Sequence, residues 1–396
     1  MPLRILYCAL DQRVPGTLGG SVHVEAVAHG LAALGHEVHA LVTPGPAVPP
    51  RGVHWHALPA PGGRAHLRLL RAPAVRRIAR DVRPHIVIER YHNFGGEGML
   101  AAGAAGARYV LEVNAPVVDF PGSPKARLDR LLLIEPMRRW RARQVATADL
   151  IVSPSATVLP TWTPSDRVLE IEWGADTHRF HPEAAGEVPW PRTQGSVVAV
   201  FAGAFRAWHG AAQFVEAMRL LRARGLDTVQ AILIGDGPER PAVQEAARGV
   251  TGVTFTGALP HERMPAALAA ADIGVAPFDI ARHAPLKLAF YWSPLKVFEY
   301  MASGLPVVAP ALPRLGALIA DRVEGLLYQP ATPLALAGAL AELAAHDRAV
   351  MGEAARARAV RDYSWDAHCA ALDRAFTRLV RTERAGDQSG RAGGPP

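Results

Sequence analysis

The sequence predicts an α/β protein made of two doubly wound parallel sheets, and three observations carry the prediction. Short runs rich in Val, Ile and Leu alternate with amphipathic helical patterns, the mark of parallel sheets. The 396 residues exceed what one hydrophobic core usually supports, so two domains are expected. A mean hydropathy of +0.08 with 49% apolar residues fits large buried parallel sheets.

The first strand is expected over 3–8, followed by the glycine-bearing loop 15–20. Ser21 can cap the next helix, whose apolar face runs Val24, Val27, Ala28, Leu31 and Leu34 before Gly35 stops it. Residues 37–42 form the second strand. Further strands are expected at 53–58, 85–89, 108–113, 149–152 and 168–171, with helices near 65–82, 95–105 and 125–147. Phe180 to Gly195, rich in Pro and Gly and without periodicity, reads as a linker. The second half repeats the alternation, with strands 197–201, 229–234, 253–255 and 273–276 and helices 210–224 and 261–271. After Glu383 the tail reads as disordered. The expected division is therefore 1–182, 183–383 and a tail 384–396, the last helix able to pack back on the first domain. Ligands bind beyond the carboxyl ends of strands in such sheets, so two units facing one another would form an interdomain cleft.

Composition excludes several function classes. The net charge of +7 is carried almost wholly by arginine in an Ala-, Gly- and Pro-heavy chain, which reads as compositional bias. Cys8 and Cys369 lie at opposite ends and make no disulfide framework. No CxxC or HExxH spacing supports a metal site, and none is expected. Met1 to Cys8 leads straight into a strand, without the apolar stretch of a signal peptide, and no apolar run reaches about 18 residues. A cytoplasmic protein is expected. Two arginine-rich helices, 64–83 and 127–143, admit either a weak peripheral contact with an anionic membrane or the solvated face of an ordinary layer helix. In the first, Arg68, Arg71, Arg76, Arg77 and Arg80 interleave with Leu67, Leu69, Leu70, Val75 and Ile78. No Phe, Trp or Tyr interleaves with the charge of this first helix, and a nucleic-acid partner is not expected.

The most informative stretch is Ser293 to Val308. Ser293 before Pro294 is a cap followed by a first-turn proline, and Gly304 with Pro306 is a stop, so a short helix starts near Pro294 and feeds the strand 307–309. Free N–H groups of its first turn, around Leu295 and Lys296, suit an anion. Lys296 is one of only three lysines, Lys125 and Lys287 being the others, among 43 basic residues. Glu299 lies one turn on, on the same face. A cation for phosphate beside a carboxylate for sugar hydroxyls is the chemistry of a nucleotide-sugar site. An intrahelical Lys296–Glu299 ion pair fits the spacing equally.

With these residues the chain resembles the GT-B nucleotide-sugar glycosyltransferases, specifically the retaining family 4, over nearly its whole length. The resemblance rests on Gly19-Gly20 with its helix, Gly35-His36-Glu37-Val38, Gly174 to Phe180, Phe201-Ala202-Gly203, Gly235-Asp236-Gly237-Pro238, Ala271-Asp272 and Glu299 to Val308. Phe205 to Gly210 and Ser293 to Lys296 look like a subgroup with WHG and SPLK motifs. The resemblance implies two facing Rossmann-like domains and retaining transfer from a sugar nucleotide, UDP by family default, to a hydroxyl-bearing acceptor, without cofactor. It implies that Glu299 binds donor ribose. The family's other glutamate falls at Tyr291, and its phosphate-binding arginine and lysine at Ala204 and His209.

Arg206 and Lys296 are then the candidate diphosphate cations, and with Glu299 the candidate catalytic residues. Gly20, Gly203, His209, Gly235 and Leu295 join Lys296 and Glu299 on the donor side. His209 could donate to phosphate or merely stack on Trp208. Gly19, His23, Glu89, His92, Glu112 and Asn114 are candidate acceptor contacts. Arg206 as a solvated loop residue, Gly19-Gly20 and Gly235 as structural turns, and the histidines as packing groups stay open. So do a non-catalytic partner of another transferase and an enzyme acting on a lipid-linked envelope saccharide. Acceptor and oligomeric state are not legible.

Overall fold

The computed structural model describes residues 1–16, 18–47, 49–117, 135–283 and 290–391. The chain divides into two compact units. One is Met1–Trp173 with Tyr291–Ser293 and the segment from Trp365; the other is Gly174–Phe290 with Pro294–Ser364.

The first unit is one parallel sheet of seven strands: β1 (Arg4–Val14), β2 (Glu37–Pro44), β3 (His54–Ala57), β4 (Ile86–Arg90), β5 (Arg108–Glu112), β6 (Leu150–Ser153) and β7 (Val168–Glu170). Their order is β3-β2-β1-β4-β5-β6-β7. Ile5 to Leu10 is buried on both faces, as layer helices on each side require. The strand order reverses between β1 and β4, the switch point where ligands of this architecture bind.

The second unit repeats the plan with β8 (Val197–Ala202), β9 (Val229–Ile234), β10 (Val253–Gly257), β11 (Ile273–Val275), β12 (Val307–Pro310) and β13 (Gly325–Tyr328), in order β10-β9-β8-β11-β12-β13. Its switch point lies between β8 and β11. One side of the sheet packs Phe201, Phe205, Phe214, Met218 and Leu221 into the core. Each side chain of this size is worth roughly 1.5–3 kcal/mol when fully buried.

Two expected caps are not formed. Ser21 is buried inside the helix Gly19–Ala33, which starts two residues earlier, after Leu18. The later helix runs Leu295–Ala302 with Pro294 at the cap position. Ser293 instead donates its hydroxyl to Glu172 Oε2 (2.5 Å) and accepts the Trp173 N–H (2.9 Å). The expected helix 65–82 is a 3₁₀ stretch, Ala65–Arg71, continued by an α-helix, Ala72–Val82. Phe180 and Trp190 are buried within the second unit, so 180–195 is packed segment and the division falls at Trp173/Gly174. The last helix continues through Arg391, so residues 384–391 are helical rather than a disordered tail, and 392–396 lie outside the described residues. Lys125, Lys287 and the start of the helix expected at 125–147 also lie outside them; that helix is described as Glu135–Thr147. Among the described residues no helix is long and apolar enough to cross a membrane.

Candidate active site

Of the donor-side candidates, Gly20 lies in the first unit, and those of the second unit gather at the carboxyl ends of β8, β9 and β11. Tyr300 fixes the helix Leu295–Ala302 there: its hydroxyl accepts the Ala202 N–H at 2.7 Å and reaches the Val275 carbonyl at 3.5 Å. At the other end Arg356 donates to the Ala302 and Phe180 carbonyls (2.6 Å each) and to Thr177 (2.9 Å). A cation at a helix carboxyl end is favourable, and this one also pins the segment that carries Arg179.

The same helix sets Lys296 in its first turn, against the dipole. The ammonium is out of water and has no hydrogen-bond partner among the described residues. It lies over the rings of Phe201 (4.2 Å) and Phe278 (5.3 Å). Burial pushes its pKa down to about 7, opposed by Glu299. Burial likewise pushes the Glu299 carboxyl up to about 7, opposed by Lys296 and then by Arg179. The two groups sense each other, but the hydrogen-bonded pair that the spacing allows is not made. Leu295 and Lys296 precede the first intrahelical bond, from Val297 N to Pro294 O, so their N–H groups lie ahead of the helical ladder.

Two glycines open this space. Gly203 has φ +144°, and a Cβ there would stand 2.9 Å from Lys296 Nζ. Gly235 has φ +132°, and its Cβ would collide with the Gly203 carbonyl. Each is required by its neighbour, as a turn and as clearance together.

His209 donates from Nδ1 to the Ala204 carbonyl at 2.6 Å. A carbonyl can only accept, so Nδ1 carries the proton. Burial holds the ring neutral, its pKa pushed down to about 3, with Lys296 and then Arg206 adding to the shift. Nε2 is therefore an acceptor here, and donation to phosphate would require proton uptake. The ring also meets Trp208 edge-on at 5.9 Å. Arg206 is exposed, with its guanidinium 5.9 Å from the Trp208 ring centre.

The acceptor-side candidates do not form one group. On β4 and β5, Arg90 is in register with Glu112, and Glu89 with Leu111. Glu89 thus points to the opposite face from Arg90 and Glu112. It is fully buried and accepts the N–H groups of Gly96 (2.5 Å) and Met99 (2.9 Å) and the Tyr109 hydroxyl (2.9 Å). It caps the helix Glu97–Ala105, and its carboxylate is built into the unit rather than offered to an acceptor.

Glu112 lies on the face of β1's Tyr7, whose hydroxyl donates to it at 2.5 Å, and Arg90 donates at 2.8 Å. Asn114 donates to the same carboxylate and accepts the Trp173 indole N–H at 3.0 Å. His23 is 1% exposed, 3.5 Å from Glu112 through Nδ1, and packed against Trp173 (4.4 Å) and His368 (5.6 Å). Burial lowers its pKa well below the usual range, so it is a neutral packed ring. His92 is half-buried after β4, where Nδ1 accepts the Phe94 N–H at 3.2 Å. Gly19 and Gly20 open the helix after β1; a Cβ on Gly20 would meet the Gln12 side chain.

Sequence reasoning missed the ions that join these groups. Arg90 also holds Asp11 at 3.2 Å, and Asp11 stands 3.5 Å from Arg68, which binds Glu97 at 2.6 Å. Arg68 and Arg71 are buried, not part of a solvated or membrane-facing stripe. The partners lie 29 to 79 residues apart, and only knowledge of the register would have joined them.

Two parallel Rossmann-like sheets, of seven and six strands, are the architecture of solved GT-B glycosyltransferases. Residues 18–163 match the family described as Glycosyltransferase Family 4, and residues 196–346 match Glycosyl transferases group 1. Both families are of glycosyltransferases and each match covers a different part of the chain, which is a glycosyltransferase of the GT-B fold. A GDP-mannose-dependent alpha-mannosyltransferase of Corynebacterium glutamicum is 28% identical over 203 residues, covering 50% of this chain and 45% of that protein. A 2-deoxystreptamine glucosyltransferase of Streptomyces kanamyceticus is 28% identical over 272 residues, covering 65% of each. The match thus spans about half to two thirds of these relatives' lengths. Sucrose-phosphate synthase from Thermosynechococcus elongatus has the same fold (TM-score 0.71, 19% identity, 96% of this chain and 100% of that one). So does Anabaena HepE, solved with UDP (TM-score 0.65, 16% identity, 98% and 100%).

Proposed function

We propose that the protein transfers a sugar from a UDP-sugar to a hydroxyl of a small polar or saccharide acceptor, with retention of anomeric configuration. One observation carries the reading: Lys296 is a buried ammonium without an acceptor among the described residues, at a helix start beyond the switch point. A diphosphate supplies the missing partner, from two directions at once, the ammonium and the helix N–H groups. Glu299, one turn on, would accept ribose hydroxyls, and Arg206 would add charge from the loop after Gly203. Trp208-His209-Gly210 and Ser293 to Lys296 would mark the subgroup.

In this mechanism the bond from the anomeric carbon to the β-phosphate oxygen breaks while the acceptor oxygen bonds to the same face of the sugar. The acceptor's proton passes to the departing phosphate oxygen, so no protein base is needed. Lys296, Arg206 and the helix start stabilise the negative charge that develops on the diphosphate. Support for uridine comes from the UDP complex of Anabaena HepE, and for a small polar acceptor from the 2-deoxystreptamine glucosyltransferase relative.

Thermal stabilisation by UDP, GDP, dTDP and ADP sugars, on wild type and Glu299→Ala, tests this. A ligand at a hundred times its Kd adds about 2.7 kcal/mol. A shift with UDP-sugars alone that Glu299→Ala abolishes is the expected result. A shift with a GDP-sugar instead would correct the base and keep the site. No shift with any nucleotide would refute the transferase reading and favour a non-catalytic partner, which Ala204 and Tyr291 at family charge positions would then explain.

A further inference from the structure

On the first unit, the helices Ala72–Val82, Glu97–Ala105 and Glu135–Thr147 enclose an open groove of about 390 Å³. That is within the usual range of ligand pockets, about 300–1,000 Å³. Its apolar floor is Met99, Leu100, Gly103 and Ala104, and three arginines, Arg76, Arg80 and Arg143, stand around it. No carboxylate lines it among the described residues, and none of the three arginines has an ion pair among them. Arg76 and Arg80 are four apart on one helix face, where like charges repel. Arg143 brings a third positive charge from another helix. Nε of Arg76 is buried without a hydrogen-bond partner among the described residues. In the turn leading into the same helix, Leu70 is 67% exposed.

A solvated helix face needs neither the groove nor the unpaired cluster. A free small anion would satisfy the arginines and leave the floor unused. The combination of a cationic rim, an apolar floor and an exposed leucine nearby fits an amphiphile with a phosphate head. We propose that this groove takes the phosphate and adjoining methylenes of an anionic glycerophospholipid, seating the first unit on an anionic bilayer surface. The arginines supply charge-assisted hydrogen bonds to the phosphate, and Met99 and Leu100 cover the glycerol and the start of the chains.

Co-sedimentation of the full chain with vesicles tests the proposal, comparing phosphatidylglycerol mixed into phosphatidylcholine with phosphatidylcholine alone. The wild type is expected on the anionic vesicles only, less so at high salt. The combined Arg76→Ala, Arg80→Ala and Arg143→Ala variant should bind them on the order of a hundredfold more weakly. Arg80→Glu with Arg143→Glu, at two exposed positions, repeats the test without touching the core. Replacing Arg224, Arg248 and Arg361, exposed arginines of the second unit, by alanine changes the net charge equally and should leave binding in place. Equal losses in both alanine triples would assign the effect to bulk charge and overturn the groove. No binding by the wild type would also overturn it. So would displacement from the vesicles by inorganic phosphate or glycerol 3-phosphate at low millimolar concentration, which would make the groove a small-anion site.

Discussion

Lys296→Met should make the protein more stable and unable to hold a donor. The ammonium is buried beside two aromatic rings with no hydrogen-bond partner among the described residues, and burial pushes its pKa down from 10.5 to about 7. At pH 7 this costs the fold about 4 kcal/mol relative to a lysine in water. Methionine fills the same volume and carries no charge. Glu299 loses the positive charge that favours its ionised form, but its carboxyl already titrates near 7, so little of the gain is returned. Losing the ammonium's contacts with the Phe201 and Phe278 rings takes back about another 1–2 kcal/mol, which leaves a net rise of roughly 2–3 kcal/mol, about 5–10 °C in the melting of a unit this size. The pH dependence has a fixed sign. Because the folded pKa lies below the unfolded one, the wild-type penalty is complete below pH 7 and fades as pH rises toward 10.5. The advantage of Lys296→Met should therefore be large at pH 6.5 and much smaller at pH 9.5. Calorimetric melts at those two values, with and without UDP-sugar, make the measurement. A variant no more stable than wild type, or one equally favoured at both pH values, would refute the claim that Lys296 is held in a costly state. Retained stabilisation by the donor would show that the cost serves something other than diphosphate binding.

Donor binding should take up a proton, because Lys296 is mostly neutral above pH 7 when free and charged against a diphosphate. Uptake near one proton at pH 8 and near zero at pH 6 is expected from titration calorimetry in buffers of different ionisation enthalpy, with affinity falling up to about tenfold per pH unit above 7. Uptake that persists at pH 6 would assign the proton to His209, whose Nε2 must gain one before it can donate. Gly203→Ala should raise the donor KM and cost about 1–2 kcal/mol of stability, since φ is +144° and the new methyl stands 2.9 Å from Lys296 Nζ; unchanged values for both would mean that the loop relaxes away from the ammonium.

The alternation of apolar runs and helices was legible because both signals are local, and β9 is found over the residues expected. Ser293 shows where local reasoning stops. Its position before a proline and a helix is right for a cap, but Glu172 and the Trp173 amide, over a hundred residues away, claim the hydroxyl. Tyr300 is similar: nothing beside it in sequence marks it as the bond between the helix and the ends of β8 and β11. Beyond residue 310 the helices are rich in alanine and β13 is four residues long, so neither period stands out. Glu89 and Glu112 both lie at the carboxyl ends of neighbouring strands. Pairing register decides which face each occupies, and register depends on partners far away in the chain.

Both units bury charge, and what sets Lys296 apart from the ions of the first unit is the lack of a partner among the described residues. In the first, Glu112, Arg90, Asp11, Arg68 and Glu97 form a continuous chain of contacts, each ion touching the next. Such a chain recovers part of its desolvation cost internally, and removing one member would expose its neighbours to the full cost. It needs no ligand to account for it. Glu89, next to this chain and close to Glu97, has its carboxyl pushed up to about 7 by burial and then by Glu97, so the cluster can hold a proton instead of a further cation. Lys296 has no comparable compensation. Its hydrogen-bonding groups are unused, the helix dipole opposes it, and the rings beneath it offer only their faces. Of the buried charges discussed, it is the one whose cost a bound anion would offset most directly. That is why the donor assignment rests on a single lysine, while the carboxylates that looked equally promising in the sequence belong to the frame.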